Sequence, residues 1–281
     1  MELTLSTHLL VYRKLDRNAL EALAAAGFAT LEVWLAEPHV PWRSGGGLAI
    51  FRQKLQDFGL RVGTVHLPFY PSVPDLLDRG RRWSLLDPGS SARQEALEGS
   101  RQGLQAAAAL GAGAAVLHLG WQGDVWKPTH YHLAEEAVAE LLAEARRQKV
   151  QLLLENIISE GTRSHRLVAL LDRLDPTGEA GLCLDLGHAH VEGQVRRELD
   201  AALPRLRHLH VHDNHGQQDS HLAPGEGSLP WAEVLERLRQ VGFSGQAALE
   251  IRDPSRGALE MGHLLDQQLR LVDGFRHQFG L

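Results

Sequence analysis

The sequence predicts a (β/α)8 barrel built as one domain over residues 1–281, and three observations predict it. Short apolar runs alternate with longer helix-like runs eight times along the chain. Within the short runs, aliphatic and polar residues alternate with period two, the mark of strands with two different faces. Residues able to bind metal recur where the short runs end, and in parallel barrels the chemistry sits at the C-terminal ends of strands.

The strand candidates, in order, are Leu3–Thr7, Thr30–Leu35, Arg61–Leu67, Ala114–Leu119, Val150–Glu155, Gly181–Leu186, Leu206–Asp213 and Ala247–Arg252. The helix candidates are Asn18–Ala26, Leu48–Phe58, Ser91–Leu110, Leu133–Gln148, His165–Leu174, Arg197–Leu203, Trp231–Val241 and Ala258–Gly274. Gly27, Gly59, Gly111 and Gly242 each follow a helix, where a left-handed residue is wanted. Strand–helix alternation implies parallel strands joined by right-handed crossovers. An open doubly wound sheet is the structural alternative.

Strand parity favours closure. On the fifth strand Leu152 and Leu154 alternate with Gln151, Leu153 and Glu155. On the sixth, Leu182, Leu184 and Leu186 alternate with Cys183 and Asp185. On the seventh, His208, His210 and His212 share one face while Leu209 and Val211 share the other. The aliphatic sets are expected to face the helices, and the polar sets the barrel axis and its mouth. Two long stretches, Pro68–Ser90 and Asn214–Pro230, follow the third and seventh strands and read as irregular loops over that mouth. Gly45–Gly47 lacks the Lys and Ser/Thr of a phosphate loop and reads as a turn.

Composition bounds the function. The chain is 43% hydrophobic, ample for one large core. Its net charge is −6 with four Lys against 25 Arg, which argues against nucleic acid as a partner. Cys183 is the only cysteine, so no intrachain disulfide forms and a reducing cytoplasm fits. No apolar run reaches membrane-spanning length, and MELTLSTHLL lacks the pattern of a secretory leader. The reading is a soluble cytoplasmic protein.

Nine residues are candidate metal ligands: His66, His118, Glu155, Asp185, His188, His210, Asp219, His221 and Glu250. Glu155, Asp185, His210 and Glu250 end strands five to eight. One strand-end carboxylate means little, because most cap a helix or pair with Arg. Four on consecutive strands form an oxygen-rich set suited to Mn, Mg, Co or Zn. His66 and His118 end strands three and four beside Glu155. Asp185 with His188, and Asp219 with His221, are close enough in sequence for each pair to face one point.

These residues resemble a known family. The chain is similar to the xylose-isomerase-like TIM barrels, which include sugar-phosphate isomerases and epimerases and the family 2 apurinic endonucleases (endonuclease IV). The resemblance covers essentially the whole chain and rests on LLLEN, CLDLGHAH, HLHVHDN, DSHLAPGEG with Leu229-Pro230-Trp231, and ALEI. In epimerase-like members, it implies a metal on Glu155, Asp185, His210 and Glu250. There Glu155 and Glu250 also move protons, and His188 contacts the sugar. In endonuclease IV, it implies three zinc ions. His66, His118 and Glu155 would hold one, Glu155, Asp185, His210 and Glu250 a second, and His188, Asp219 and His221 a third. The segments Leu186-Gly187-His188-Ala189-His190 and His212-Asp213-Asn214-His215 depart from the endonuclease pattern and favour the isomerase branch.

The expected function is therefore a divalent-metal enzyme, holding one to three ions, that isomerises or epimerises a small sugar or sugar phosphate. Glu155 and Glu250 would act as the proton-transfer pair. Glu32, His188 and Trp121 are candidate substrate contacts. The alternative is a multinuclear zinc phosphodiester hydrolase. Trp34, Trp42, Phe69, Tyr70, Trp121 and Trp126 are expected near the mouth, where they either stack on a sugar ring or close the barrel top. Arg79, Arg81 and Arg82 form a small basic cluster that reads as a solvated run rather than a phosphate site. Cys183 reads as inert packing.

Overall fold

Each predicted strand forms: β1 Glu2–Ser6, β2 Thr30–Trp34, β3 Arg61–His66, β4 Ala114–Leu117, β5 Gln151–Glu155, β6 Gly181–Asp185, β7 Leu206–Val211 and β8 Gln246–Leu249. In the computed structural model, which describes residues 1–279, they form a closed ring in sequence order. Every neighbouring pair is parallel, and β1 closes on β8 through the register Glu2↔Gln246 to Leu5↔Leu249. The ring is a TIM barrel, which excludes the open sheet. A closed ring leaves no edge strand exposed.

Among the described residues ten α-helices surround it: α1 Arg17–Ala25, α2 Gly45–Asp57, α3 Val73–Arg79, α4 Ser90–Leu110, α5 Pro128–Gln148, α6 Ser164–Leu174, α7 Leu186–Val191, α8 Val195–Ala202, α9 Trp231–Gln240 and α10 Met261–Phe279. Two were not expected. The Pro68–Ser90 stretch contains α3, which Ser72 caps by accepting the Asp75 N–H and Gly80 ends in a left-handed conformation. After β6 the chain turns directly into α7, with Asp185 itself as the N-cap accepting from His188 N–H. Gly45–Gly47 is also corrected: these residues form the first turn of α2, capped by Ser44 Oγ. Among the described residues, no helix is long and apolar enough to cross a membrane.

The parity expectation holds on the outer face. Leu152, Leu154, Leu182, Leu184 and Leu209 pack into one core with Leu141, Leu171 and Leu199 of the surrounding helices. Each such side chain contributes about 1.5–3 kcal/mol by leaving water. The axis-facing set is less uniformly polar than the alternation implied. Ala114, Val116, Leu153 and Cys183 make a separate apolar plug on the β4–β6 side. Glu32, Thr64 and His208 line the other side of the axis, hydrogen-bonded together. Burial pushes the Cys183 thiol well up, so it stays protonated and inert.

Candidate metal centre

The C-terminal ends of the strands bring all nine candidate ligands together in three adjoining groups. Glu155, Asp185, His210 and Glu250 form one, with ligand atoms within 4.8 Å of one another. His66, His118 and Glu155 form a second. His188, Asp219 and His221 form a third, which His212 joins. The chain does this with backbone geometry. Glu155, Asp185 and His210 lie in or at the end of their strands, while His118 and Glu250 follow β4 and β8 directly.

Loop chemistry carries the rest. Asp213 accepts from the Gly225 and Leu229 N–H groups and from Trp231 Nε1, and its backbone pairs with Leu222. That folds the 214–230 loop back over the mouth and delivers Asp219 and His221. Gly227 is required there, since a Cβ would lie 2.3 Å from Asn214 O. His221 takes a left-handed φ of 47°, uncommon for a residue with a Cβ and tolerated where a site needs it. Asn156 clips β5 to β6, donating to Asp185 O at 3.0 Å and accepting Asp185 N–H at 2.7 Å.

The hydrogen bonds set the histidine tautomers. His66 Nδ1 donates to Leu67 O at 3.0 Å, His188 Nδ1 to Asn156 O at 2.8 Å and His221 Nδ1 to Glu250 O at 2.7 Å. Each proton is thus committed to a carbonyl, and each Nε2 lone pair is left facing a carboxylate. His66 Nε2 lies 3.3 Å from Glu155, and His188 and His221 Nε2 lie 3.5 and 3.0 Å from Asp219. Lone pair against lone pair is repulsive unless a cation or a further proton lies between. Glu250 Oε2 adds to this: it lies 2.9 Å from His210 Nδ1 yet is buried without a hydrogen-bond partner, as is Asp219 Oδ1.

Charge bookkeeping points the same way. Glu155, Asp185, Asp219 and Glu250 are buried or nearly so, and among the described residues no Lys or Arg lies within 4.0 Å of them; their ion-pair partners are all histidines. Buried carboxylates require compensation. Burial opposes the charge on Glu155, but His118 and His210 outweigh it and hold the carboxyl well below the usual range. Burial likewise opposes charge on Asp219, where His221 and His188 win. Burial also opposes charge on His188, and Asp185 and Asp219 still lift its imidazole well above its ordinary value. The centre draws positive charge, which protons or a metal can supply, and its oxygen-and-imidazole donor set fits a divalent ion.

A cavity of about 230 Å³ opens onto this centre, lined by His118, Glu155, His188, Asp219, His221 and Glu250 on its polar side. Trp34, Phe69, Tyr70 and Trp121 supply apolar walls. Trp121 is fixed by donating from Nε1 to Trp83 O. Trp42 and Trp126 are elsewhere: Trp42 is in the main core, and Trp126 packs against that core and donates to Ser159. Glu32 needs correction as a substrate contact. It is fully buried on the axis side, where its Oε2 accepts from Thr64, His208 and His210. Of the basic cluster, Arg79 and Arg81 pair with Asp75, and Arg82 lies over Trp121.

The profile of the xylose isomerase-like TIM barrel matches residues 20–273. The chain belongs to that family. A fructoselysine 3-epimerase of Shigella flexneri is 23% identical over 246 residues, 83% of this chain and 84% of that one. A crystal structure of a D-psicose 3-epimerase from Clostridium cellulolyticum aligns with a TM-score of 0.75 at 21% identity, covering 99% of each chain. An AP endonuclease family 2 protein from Brucella melitensis aligns with a TM-score of 0.69 at 16% identity, covering 95% of this chain and 97% of that one. At these identities the structural likeness establishes the barrel, and curated family relatives include sugar epimerases.

Three residues of the site are given no site role by the sequence, although His212 falls on the face expected toward the mouth. His212 lies one step beyond β7, on the same face as His210, so the period-two rule that found His210 also reaches it. Its Nε2 donates to Asp185 Oδ2 at 3.0 Å. Asn156 follows Glu155 in LLLEN, and its amide is not a metal-ligand signal in sequence. His8 lies in a 3-10 turn after β1, past the strand end that the strand pattern marks.

Proposed function

We propose that the protein is a divalent-metal-dependent isomerase or epimerase of a small sugar. One observation carries this reading. Glu155 and Glu250, from strands three places apart around the ring, each bring an oxygen within 3.2 Å of His210 Nδ1 and both line one cavity. Paired carboxylates flanking one point are what proton removal and return require.

A bound metal ion would supply Lewis-acid polarisation of a substrate carbonyl, held by Glu155, Asp185, His210 and Glu250. One glutamate takes a proton from the carbon beside that carbonyl. Return to the former carbonyl carbon, with the hydroxyl proton passing between the two oxygens, gives isomerisation, and return to the opposite face of the same carbon gives epimerisation. His188, its Nδ1 held by Asn156 O, lines the cavity, and Trp121 and Phe69 line its apolar side, where they would meet the sugar. The single buried cysteine fits a reducing compartment, and we read the protein as cytoplasmic.

The test is solvent deuterium exchange, followed by NMR, with metal-loaded protein and a panel of ketoses. Exchange at the carbon next to the carbonyl, lost in Glu250→Gln with metal still bound, supports the reading. Absence of exchange across the panel would sink it. A second reading, multinuclear phosphodiester hydrolysis, is favoured by the two further ligand groups beside the central one.

A further inference from the structure

The centre is rich in carboxylates, yet among the described residues its cavity wall carries a single Lys or Arg. Arg252 lies two residues past Glu250 and lines the cavity beside His8, Tyr12 and His221; among the described residues no other Lys or Arg does. Its backbone N–H donates to His221 O at 3.0 Å, which ties it to the loop that delivers Asp219. Most arginines of this acidic chain sit within 4.0 Å of an Asp or Glu, as Arg146 and Arg205 do with Asp175. Among the described residues, the half-buried Arg252 side chain has no such partner and no hydrogen bond. The acid next to it in sequence is engaged elsewhere. Asp253 accepts from Ser255 N–H, Ser255 Oγ and Gly257 N–H, and faces Arg13 at 3.8 Å. His8 is also buried, its Nδ1 is enclosed without a partner, and its ring makes no hydrogen bond among the described residues.

A guanidinium presents five N–H donors in a planar fork that matches the oxygens of a phosphate or carboxylate. Left unpaired in a half-buried wall, it forfeits solvation that a ligand oxyanion would restore. We infer that the substrate is an anionic carbohydrate, whose phosphate or carboxylate oxygens pair with the Arg252 guanidinium beside His8. This rests on the proton-transfer reading of the same centre and names its substrate class. The carboxylates at the centre repel an anion while Arg252 attracts it. The two together orient the sugar, charged end on the β8–β1 side and carbonyl toward Glu155 and Glu250.

Calorimetry on the metal-loaded protein tests this with D-fructose, D-fructose 6-phosphate and 5-keto-D-gluconate. At least one charged sugar should bind about tenfold or more tighter than D-fructose, as a charge-assisted bidentate pair allows. The preferred one distinguishes phosphate from carboxylate. Arg252→Gln should remove that preference and leave D-fructose binding within about twofold, while Arg252→Lys, which keeps a cation, recovers part of it. Equal binding of all three, no measurable binding of any, or a uniform loss in Arg252→Gln would overturn the inference. Deuterium exchange on the same samples separates the two claims. Charge preference without exchange overturns proton transfer alone, and exchange without charge preference overturns the anion site alone.

Discussion

Glu32 Oε2 accepts a hydrogen bond from His210 Nε2 at 3.2 Å, beneath the candidate metal centre. The same oxygen accepts from His208 Nε2 at 3.0 Å and from Thr64 Oγ1 at 3.0 Å. Burial opposes the charge on Glu32, but His210 and His208 hold its carboxyl well below the usual range. An ionised carboxylate on Nε2 fixes the His210 ring with its Nδ1 toward Glu155 and Glu250. Such a support orients a metal-binding imidazole and raises its basicity. Glu32→Gln is therefore expected to weaken metal binding by about 10–100-fold with the fold retained. Competition with a chromophoric chelator measures it, alongside far-UV circular dichroism. Unchanged affinity would show that His210 does not depend on Glu32.

A second expectation concerns pH. In the metal-free protein burial disfavours charged His188 and His210, but neighbouring acids raise both imidazoles well above the ordinary value. Their stabilising contribution is complete below about pH 6.5, the ordinary histidine value, and is lost as pH rises through the raised one. The depressed carboxyls of Glu155, Asp185 and Asp219 contribute above about pH 4, and that is lost only as pH falls through their lowered values. Metal binding instead requires deprotonated imidazoles and releases protons. The gap in Tm between metal-loaded and chelator-treated protein should widen from pH 6 to pH 8. A constant gap in thermal melts at pH 6, 7 and 8 would contradict this account.

Much of this was legible because it follows from period. Eight apolar runs gave eight strands, and residues in register with Glu155, Asp185 and His210 emerged at one end. What was not legible depends on contacts across the fold. The Ser72 cap, Pro74 and Gly80 are ordinary helix signals, but the helix they bound is only seven residues long and lies inside the Pro68–Ser90 stretch that reads as irregular. Helix α7 was hidden because Asp185 ends a strand, caps a helix and joins the metal centre at once. Glu32, facing the axis near the end of the second strand, reads as a substrate contact. Register shows why it is not: it pairs with Thr64, two residues before His66.

Gly187 offers a test of how tightly the centre is packed. A Cβ there would lie 2.0 Å from His212 Cε1, and that ring is fully buried while donating to Asp185. Gly187→Ala must push His212 away or distort α7. The expected cost is about 1–3 kcal/mol of stability, with weaker metal binding as Asp185 loses its donor. Urea unfolding and metal titration of the same variant read both effects. A variant with wild-type stability would mean that His212 yields freely.

Away from the centre, Asp175 joins three elements below the barrel. It is fully buried, accepts Ala180 N–H at 2.8 Å and binds Arg146 at 2.8 Å and Arg205 at 3.4 Å. Burial disfavours its charge, and the Ala180 N–H, Thr177 and Arg146 outweigh that. Asp175→Ala leaves the nearly buried Arg205 with only Asp172 and a carbonyl. Removing one partner of a buried pair costs about 3–5 kcal/mol, less here because Asp172 remains. Chemical denaturation should show a clear loss with metal affinity unchanged.

The last expectation separates the two readings of the centre. The further ligand groups at His66–His118 and His188–Asp219–His221 suit a multinuclear hydrolase. Binding duplex DNA demands cations for several phosphates, each contributing to a steep salt dependence. Here the net charge is −6 and, among the described residues, Arg252 is the one Lys or Arg on the cavity wall. In the third loop Arg79 and Arg81 are held by Asp75 and Glu95, and Arg82 lies over Trp121 at the cavity wall. An acidic protein can still carry a basic groove, so charge at the mouth decides more than charge overall. Metal-loaded protein should leave a duplex with one abasic site intact at physiological salt. Efficient nicking 5′ to that site, abolished in Glu155→Ala, would displace proton transfer and establish hydrolysis as the chemistry of this centre.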